Sequence, residues 1–243
     1  LNNLNPQHFP TFKYSSTMKK VCMFILMAAY CSVANCQTAR QKQTIEALQE
    51  KLKTGHLSIS EVLTNKEWMA LHSLTAFRKI IKENARPGNV QLTHAKEPGL
   101  KMKVRGSVAD KSGRPMRDVL VYVYQTSSEG WYADTAAHIQ SNEGDFGHAR
   151  LFGYLKTDDF GEFEFESIRP EGYPNSDLPA HIHIQMWAPN GEMIHGMPGE
   201  LLFEEDKRLT PERKKRALQD GYLVSKNTGT KDYAVYKYDL RPR

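Results

Sequence analysis

The hydrophobic positions in residues 41–85 repeat with the period of an α-helix. Apolar side chains recur every three or four residues at Ile45, Leu48, Leu52, Trp68, Leu71, Leu74, Phe77, Ile80 and Ile81. Ser58 and Glu61 form an S-x-x-E capping box, a common start of a helix. The pattern predicts two or three helices in an N-terminal segment, residues 37–98. Their apolar face is expected to pack on the rest of the chain or on a second copy of it, in a homo-oligomer.

From residue 99 onward the hydrophobic pattern changes to the two-residue period of β-strands. The predicted strands cover residues 101–108, 119–124, 161–166, 180–187 and 233–238. Turn-forming Asp, Gly and Pro residues separate these strands, and one helix is predicted late in the chain, with Thr210 as its N-cap and Pro211 as its first residue. Short strands without helical crossovers indicate a mainly β fold, an antiparallel β-sandwich domain over residues 99–243.

The most apolar stretch of the chain lies near its start. Met18, Lys19 and Lys20 precede about 14 mostly apolar residues, the arrangement of a secretory signal peptide and too short for the ~20 residues of a membrane-spanning helix. A buried core helix would share this composition, but the two lysines favour a signal peptide over residues 18–36. The protein is then expected to be exported, to the periplasm or the extracellular space. Residues 1–17 are interpreted as upstream or non-native sequence.

Cysteine is confined to this predicted leader. Cys22, Cys31 and Cys36 are the chain's 3 cysteines, so the body has no thiol for a disulfide or a metal site. Cleavage after Cys36 is one expectation. The other is a lipid anchor at Cys36, because residues 33–36 resemble a bacterial lipobox in which Asn35 departs from the usual Gly, Ala or Ser. A metal in the body must be held by nitrogen and oxygen ligands.

Overall charge argues against a nucleic-acid partner. The chain has 33 Lys and Arg against 28 Asp and Glu, and three of the lysines lie in residues 1–36. The remaining 30 basic and 28 acidic residues leave a net charge of +2. A nucleic-acid-binding domain usually carries a clear excess of basic residues, so no nucleic-acid partner is expected.

Two histidines and two tyrosines are the candidate chemical groups. His181 and His183 project from the same face of a predicted strand, as a pair of metal ligands would, although the polar face of an edge strand shows the same pattern. Tyr132 and Tyr173 lie in predicted loops framed by Gly and Pro. A bound cation lowers the pKa of a phenol, and phenolate oxygen and imidazole nitrogen both suit ferric iron. Either tyrosine alone is more typical of a packed aromatic ring.

Five sequence blocks resemble, in this order, the intradiol ring-cleavage dioxygenases, especially protocatechuate 3,4-dioxygenase-like members. They are Gly106–Pro115, Tyr124–Tyr132, Thr157–Phe165, Ile168–Pro174 and Pro179–His183. The resemblance covers roughly residues 100–205 and implies a β-sandwich that holds non-haem Fe(III) through Tyr132, Tyr173, His181 and His183. It further implies an oxidoreductase that uses O₂ to cleave a catechol-type ring between its two hydroxylated carbons. Tyr173 would be the ligand that gives way to the substrate and takes up one of its protons.

Two positions depart from the family's pattern. Members usually carry an Arg three residues before the first ligand histidine, where this chain has Leu178, and a Gln at a later position that is Glu200 here. Losing a cation and gaining a carboxylate near an anionic substrate should both weaken catalysis. Arg150 or Arg169 could supply the missing positive charge. Trp131, beside a predicted ligand, is expected to line the substrate pocket together with Leu178 and Glu200.

The sequence therefore supports a leading hypothesis and two alternatives. The leading one is an exported Fe(III)-dependent intradiol dioxygenase. The first alternative is a catalytically impaired β-sandwich module that binds a metal or a ligand, because of the two departures. The second is a transthyretin-like domain that binds a partner, because the strand pattern of residues 106–124 is shared by many sandwiches.

Overall fold

The computed structural model describes residues 38–133, 149–195 and 199–240. Residues 1–17, the signal peptide expected over 18–36 and Cys36 lie outside the described residues, so what the sequence predicts for them stays a prediction. By their contacts the described residues fall into two units, residues 38–44 and residues 45–240, and residues 38–44 are helical. No helix in the described parts is both long and apolar enough to cross a membrane.

The second unit opens with the helical segment that the apolar period predicts. Helix α1 covers residues 45–53, α2 Ile59–Thr64, a 3₁₀ helix Lys66–Leu71, and α3 Thr75–Glu83. The predicted capping box is present: the Ser58 hydroxyl accepts the Glu61 N–H at 3.2 Å, and the Glu61 carboxylate accepts the Ser58 N–H at 2.7 Å. Helix α3 buries Phe77, Ile80 and Ile81 in the core of its own chain. A homo-oligomer through these helices stays a prediction.

Within the described residues, nine strands form two sheets. They are β1 Asn89–Gln91, β2 Lys101–Val108, β3 Leu120–Gln125, β4 Leu151–Lys156, β5 Glu162–Ile168, β6 His181–Trp187, β7 Glu200–Phe203, β8 Leu223–Ser225 and β9 Tyr233–Leu240. Sheet one has the order β1-β5-β2-β9 and sheet two the order β4-β3-β6-β7-β8. The mainly β class is confirmed.

One detail of the predicted sandwich needs correction, because both sheets are mixed rather than purely antiparallel. Strand β1 runs parallel to β5, β2 to β9, and β7 to β8. Parallel neighbours require a long connection, and β9 returns beside β2 only after the chain has built the whole of sheet two. The alternation along one strand indicates which face of that strand is buried. It does not indicate whether the neighbouring strands run parallel or antiparallel to it.

The inner faces of the two sheets pack against each other as a sandwich. The rings of Phe203 in β7 and Tyr236 in β9 meet edge to face with centroids 4.7 Å apart. Gln125 of β3 reaches across to donate its side-chain N–H to the backbone carbonyl of Ile168 in β5 at 2.7 Å. Such contacts bury the apolar side of each strand, which is the main driving force for the fold.

The outer face of sheet two is covered at one end by α3. The Arg78 guanidinium of α3 lies 3.7 Å from the centroid of the Phe152 ring and hydrogen-bonds the Tyr122 hydroxyl. The N-terminal helices therefore cover their own sandwich. The other end of this face, where β6 begins, is covered by the two loops that carry Tyr132 and Tyr173.

Candidate metal centre

Strand β6 places the two histidines side by side on the outer face of sheet two. His181 and His183 alternate with Ile182 and Ile184, which are buried on the opposite, inner face. The Nε2 atoms of the two imidazoles lie only 3.1 Å apart. The strand period therefore creates the histidine pair, as expected for residues i and i+2.

Two loops bring the phenol groups of Tyr132 and Tyr173 to this pair. The phenol oxygens lie 2.7 Å from each other. The Tyr132 oxygen is 2.9 Å from His183 Nε2, and the Tyr173 oxygen is 3.0 Å from His181 Nε2 and 3.4 Å from His183 Nε2. Both rings are buried, with 1% and 6% of their surface exposed. The structure thus brings together all four residues that the sequence singled out as ligands.

Close backbone contacts hold the two loops together. The Glu171 N–H donates to the Ser127 carbonyl at 3.0 Å, and the Thr126 hydroxyl donates to the Glu171 carbonyl at 2.7 Å. At Gly130 a side chain would place its Cβ only 2.3 Å from the Gly172 carbonyl oxygen. Because these glycines lie two residues before Tyr132 and one residue before Tyr173, their contact sets the spacing of the two phenols.

Known proteins share this part of the chain. The family model Dioxygenase_C, described as a dioxygenase, matches residues 79–242, more than half of the chain. The chain belongs to the intradiol dioxygenase family. It is 31% identical over 106 residues to catechol 1,2-dioxygenase of Candida albicans. That match covers 37% of this chain and 33% of the Candida protein. It is 29% identical over 155 residues to the protocatechuate 3,4-dioxygenase beta chain of Burkholderia cepacia, 58% of this chain and 64% of the relative.

The match to these curated relatives is partial, since the chain spans between a third and two thirds of their length. Among solved structures, the dioxygenase domain of a dioxygenase carbohydrate-binding protein fusion from Streptomyces sp. SirexAA-E is similar, with a TM-score of 0.48 and 23% identity. The similarity covers 65% of this chain and 88% of that one.

The Nδ1 atom of each imidazole faces an oxygen, and the Nε2 atom points towards the two phenols. His181 Nδ1 lies 2.8 Å from the backbone carbonyl of Pro179, to which it can only donate, so its Nε2 carries the lone pair. His183 Nδ1 faces the Glu200 carboxylate at 3.6 Å. A carbonyl or carboxylate behind the imidazole is the usual arrangement at protein metal sites.

The donor set fits a ferric ion. Even with a proton on His183 Nε2, the two hydroxyls and this nitrogen offer three protons for five close contacts among the four atoms, so lone pairs face each other in the rest. A central cation would relieve this repulsion. Ligand atoms about 2.0–2.1 Å from a metal, as N and O ligands are in zinc sites, lie roughly 2.9–3.4 Å apart. The observed separations of 2.7–3.4 Å match that range closely.

Burial disfavours the charged phenolate form of a tyrosine unless a cation lies beside it. Tyr122, a buried neighbour on the same face of sheet two, has its pKa raised because burial disfavours the charged form. Its ring stacks on Tyr124, whose ring stacks in turn on His183 with centroids 4.4 Å apart and only 9° between the planes. The aromatic stack packs flat against the His183 imidazole and forms a buried back wall of the centre.

A cavity of about 590 Å³ opens onto the front of the centre. Tyr173, His181 and His183 line it, and so do Leu178 and Glu200, two of the three positions expected to contact substrate. The third, Trp131, lines a separate cavity with Lys66, His94, Glu97 and Arg150. The loop that directs Tyr132 at the histidines therefore directs Trp131 into a different cavity.

Neither arginine considered as a replacement for the missing cation lines this cavity. Arg150 forms a two-point ion pair with Glu97, at 2.6 and 3.0 Å, in the cavity of Trp131. Arg169 lies 3.8 Å from Asp206 and 5.2 Å from the Phe203 ring centroid. Both charges are already engaged by other groups of the chain.

Helix α4, Pro211–Gln219, supplies the far wall of the cavity, and the sequence did not indicate this position. Arg213 and Arg216 of α4 line the cavity, as does Tyr222 after it. Arg213 is ion-paired with Asp177, which ties the helix to the loop of Leu178. The sequence predicted α4 from its Thr cap and its first-turn Pro, but a helix cap says nothing about which strand the helix will face.

Proposed function

We propose that this protein is a ferric-iron-dependent intradiol dioxygenase that cleaves a catechol-type aromatic ring with O₂. The observation that carries the proposal is the convergence of two buried phenol oxygens and two imidazole Nε2 atoms, 2.7–3.4 Å apart, at the base of an open cavity. Membership of the intradiol dioxygenase family supports it.

Tyr132, Tyr173, His181 and His183 would hold the iron. When bound there, ferric iron would act as a Lewis acid towards both oxygens of a catechol and make its ring reactive towards O₂. The protein's part is to fix these ligands, exclude water from behind them and admit the substrate from one side. The aromatic stack behind His183 excludes water from that side, and the cavity in front of His183 admits the substrate.

The two tyrosines have different access to the cavity. Tyr173 lines it, whereas Tyr132 does not and is the more deeply buried ring. A catechol entering the cavity meets the Tyr173 oxygen first, and that oxygen is the group placed to accept a proton from a catechol hydroxyl. We expect the Tyr132 oxygen to remain beside the two imidazoles while the substrate binds and reacts.

The cavity also has the shape and chemistry to seat an aromatic ring. Leu178, Pro179, Leu202 and Leu209 line its apolar part, and its volume lies within the range of about 300–1,000 Å³ typical of small-molecule sites. The two arginines of α4 lie on the far side. A flat ring can therefore rest on apolar groups while its two hydroxyls point at the histidine pair.

Iron loading, the visible spectrum and O₂ uptake with a panel of catechols test the proposal. Iron-loaded protein should show a phenolate-to-iron charge-transfer band and consume O₂ with at least one catechol. Tyr132→Phe and Tyr173→Phe should each weaken the band, and Tyr233→Phe, a change on the distant sheet one, should leave it intact. A colourless protein with a full complement of iron would refute the assignment.

Leu178 and Glu200 favour a second candidate, a module that binds the metal or an aromatic ligand without turnover. Leu178 lines the cavity and is 53% exposed. Its side chain is uncharged, so this position offers no positive charge to a bound catechol dianion. If the protein is such a binding module, the iron-loaded form should show the charge-transfer band and a shift of that band on adding catechol. It should take up no O₂ with any catechol of the panel. Uptake with any catechol decides for the dioxygenase.

A further inference from the structure

Glu200 lies directly behind one of the two histidines of the proposed iron centre. It opens β7 and pairs with His183 in the antiparallel register of β6 and β7. Its Oε1 lies 3.6 Å from His183 Nδ1, and both side chains are partly buried, with 29% and 18% exposed. The strand pairing therefore fixes this carboxylate beside the imidazole rather than leaving it on a mobile loop.

The two histidines consequently have unlike outer partners. His181 Nδ1 donates to the neutral carbonyl of Pro179 at 2.8 Å, whereas His183 Nδ1 faces a carboxylate. A carboxylate behind a metal-binding imidazole orients the ring and makes it a stronger donor. We infer that Glu200 is a positioning residue that holds His183 in the Nδ1–H form and stabilises the ferric over the ferrous state of the centre. This inference rests on the proposed function.

The geometry places Glu200 outside the ligand set itself. Ligating atoms of His181, His183 and Glu200 do lie within 4.8 Å of one another. However, the Nε2 atom of His183 is the one that faces the Tyr132 oxygen, at 2.9 Å, and the opposite nitrogen faces Glu200. The imidazole ring thus separates the carboxylate from the point where the four donors converge.

The charge of Glu200 also reaches the cavity. The pKa of the Tyr222 phenol, on the far wall, is raised mainly because the Glu200 carboxylate lies nearby. A negative charge at this position favours a trivalent over a divalent ion, since the attraction grows with the charge of the metal. The same charge should make phenolate-to-iron charge transfer harder, because it raises the energy of the reduced iron.

Reduction potential and iron release test this inference without any turnover. Glu200→Gln keeps the shape of the side chain and removes its charge, whereas Glu200→Asp keeps the charge and moves it away from His183. The control variant, Glu192→Gln, removes a charge from an exposed turn. Glu200→Gln should bind ferric iron 10- to 100-fold more weakly, the usual effect of losing an outer partner. A tenfold shift towards the ferrous state would appear as a potential about 59 mV higher, with the charge-transfer band at longer wavelength. Glu200→Asp should lie between, and Glu192→Gln should match the unmutated protein.

Two results would overturn the inference. If Glu200→Gln matches the unmutated protein in potential, band position and iron release, the carboxylate has no effect on the centre. If it abolishes iron binding in a protein that still folds, Glu200 is itself a ligand. Failure of the proposed function looks different, because it would be seen in the unmutated protein, as absence of ferric iron binding or of O₂ uptake.

Discussion

The contact between Gly130 and Gly172 should control the spacing of the two phenols, and Gly130→Ala tests it. Gly130 has φ +83°, where a side chain is strained, and an added Cβ would lie 2.3 Å from the Gly172 carbonyl oxygen and 3.0 Å from Pro174 Cδ. Neither atom can move without displacing the loop of Tyr173, because the first is a backbone oxygen and the second is a ring carbon bonded to the backbone nitrogen of Pro174. We therefore expect the two loops to separate and the phenol oxygens of Tyr132 and Tyr173 to move apart.

The size of the effect follows from two contributions. A non-glycine residue in the left-handed region costs about 1–2 kcal/mol. Forcing an additional carbon into a packed site costs about 1–3 kcal/mol more, so Gly130→Ala should lower the free energy of unfolding by about 2–5 kcal/mol. Gly113 offers a matched control, because its φ is +84° and nothing lies within 4 Å of an added Cβ. Gly113→Ala should therefore show only the first contribution.

Urea unfolding of both variants gives the two free energies, and the ferric charge-transfer band reports the phenols. Gly130→Ala should be the less stable variant and should also show a weaker band at saturating iron. Gly113→Ala should keep the full band. The reasoning is refuted if the two variants are equally stable and their bands are the same, because the close contact would then carry no constraint.

Three further outcomes are expected. Burial lowers the pKa of His72 to about 4, so at acidic pH the unfolded chain binds a proton that the folded chain excludes. As the pH is lowered from about 6.5 to about 4, the free energy of unfolding should therefore fall, by at most about 3 kcal/mol. His72→Gln should flatten this part of a urea-unfolding pH series, and an unchanged slope would contradict it. Leu178→Arg should raise kcat/KM for a catechol by about 10- to 100-fold, whereas Leu218→Arg, on the exposed side of α4, should not. Gly106→Ala would place a Cβ 2.1 Å from the buried Phe163 ring and should cost about 3 kcal/mol, measurable by urea unfolding, and a loss under 1 kcal/mol would show that the ring can move.

The elements with a clear period or cap could be predicted from the sequence. Strand β2 lies at Lys101–Val108, where the alternation placed it, and α4 begins at Pro211, after its Thr cap. Strand β4 was missed because its buried residues do not alternate, and β7 because it has only four residues. A strand buried on both faces carries no two-residue period, so its sequence does not distinguish it from other apolar runs.

Much of the candidate centre was also visible in the sequence. The i, i+2 spacing on β6 pairs the two histidines by strand geometry alone, and the family resemblance pointed to both tyrosines. The direction of Trp131 and the position of Glu200 behind an imidazole were not visible. Both depend on which loop and which strand end up beside β6, and no local pattern in the chain records that.

The sequence by itself determined the periods of the elements, the helix caps and the histidine pair, because each depends on residues a few positions apart. The tertiary structure decided the rest. It set the mixed direction of the sheets, the covering of the outer face by α3, the contact of the two tyrosine loops at Gly130 and Gly172, and the place of α4 across the cavity. These features join residues far apart along the chain, and their arrangement is settled by how the two sheets and the loops between them pack.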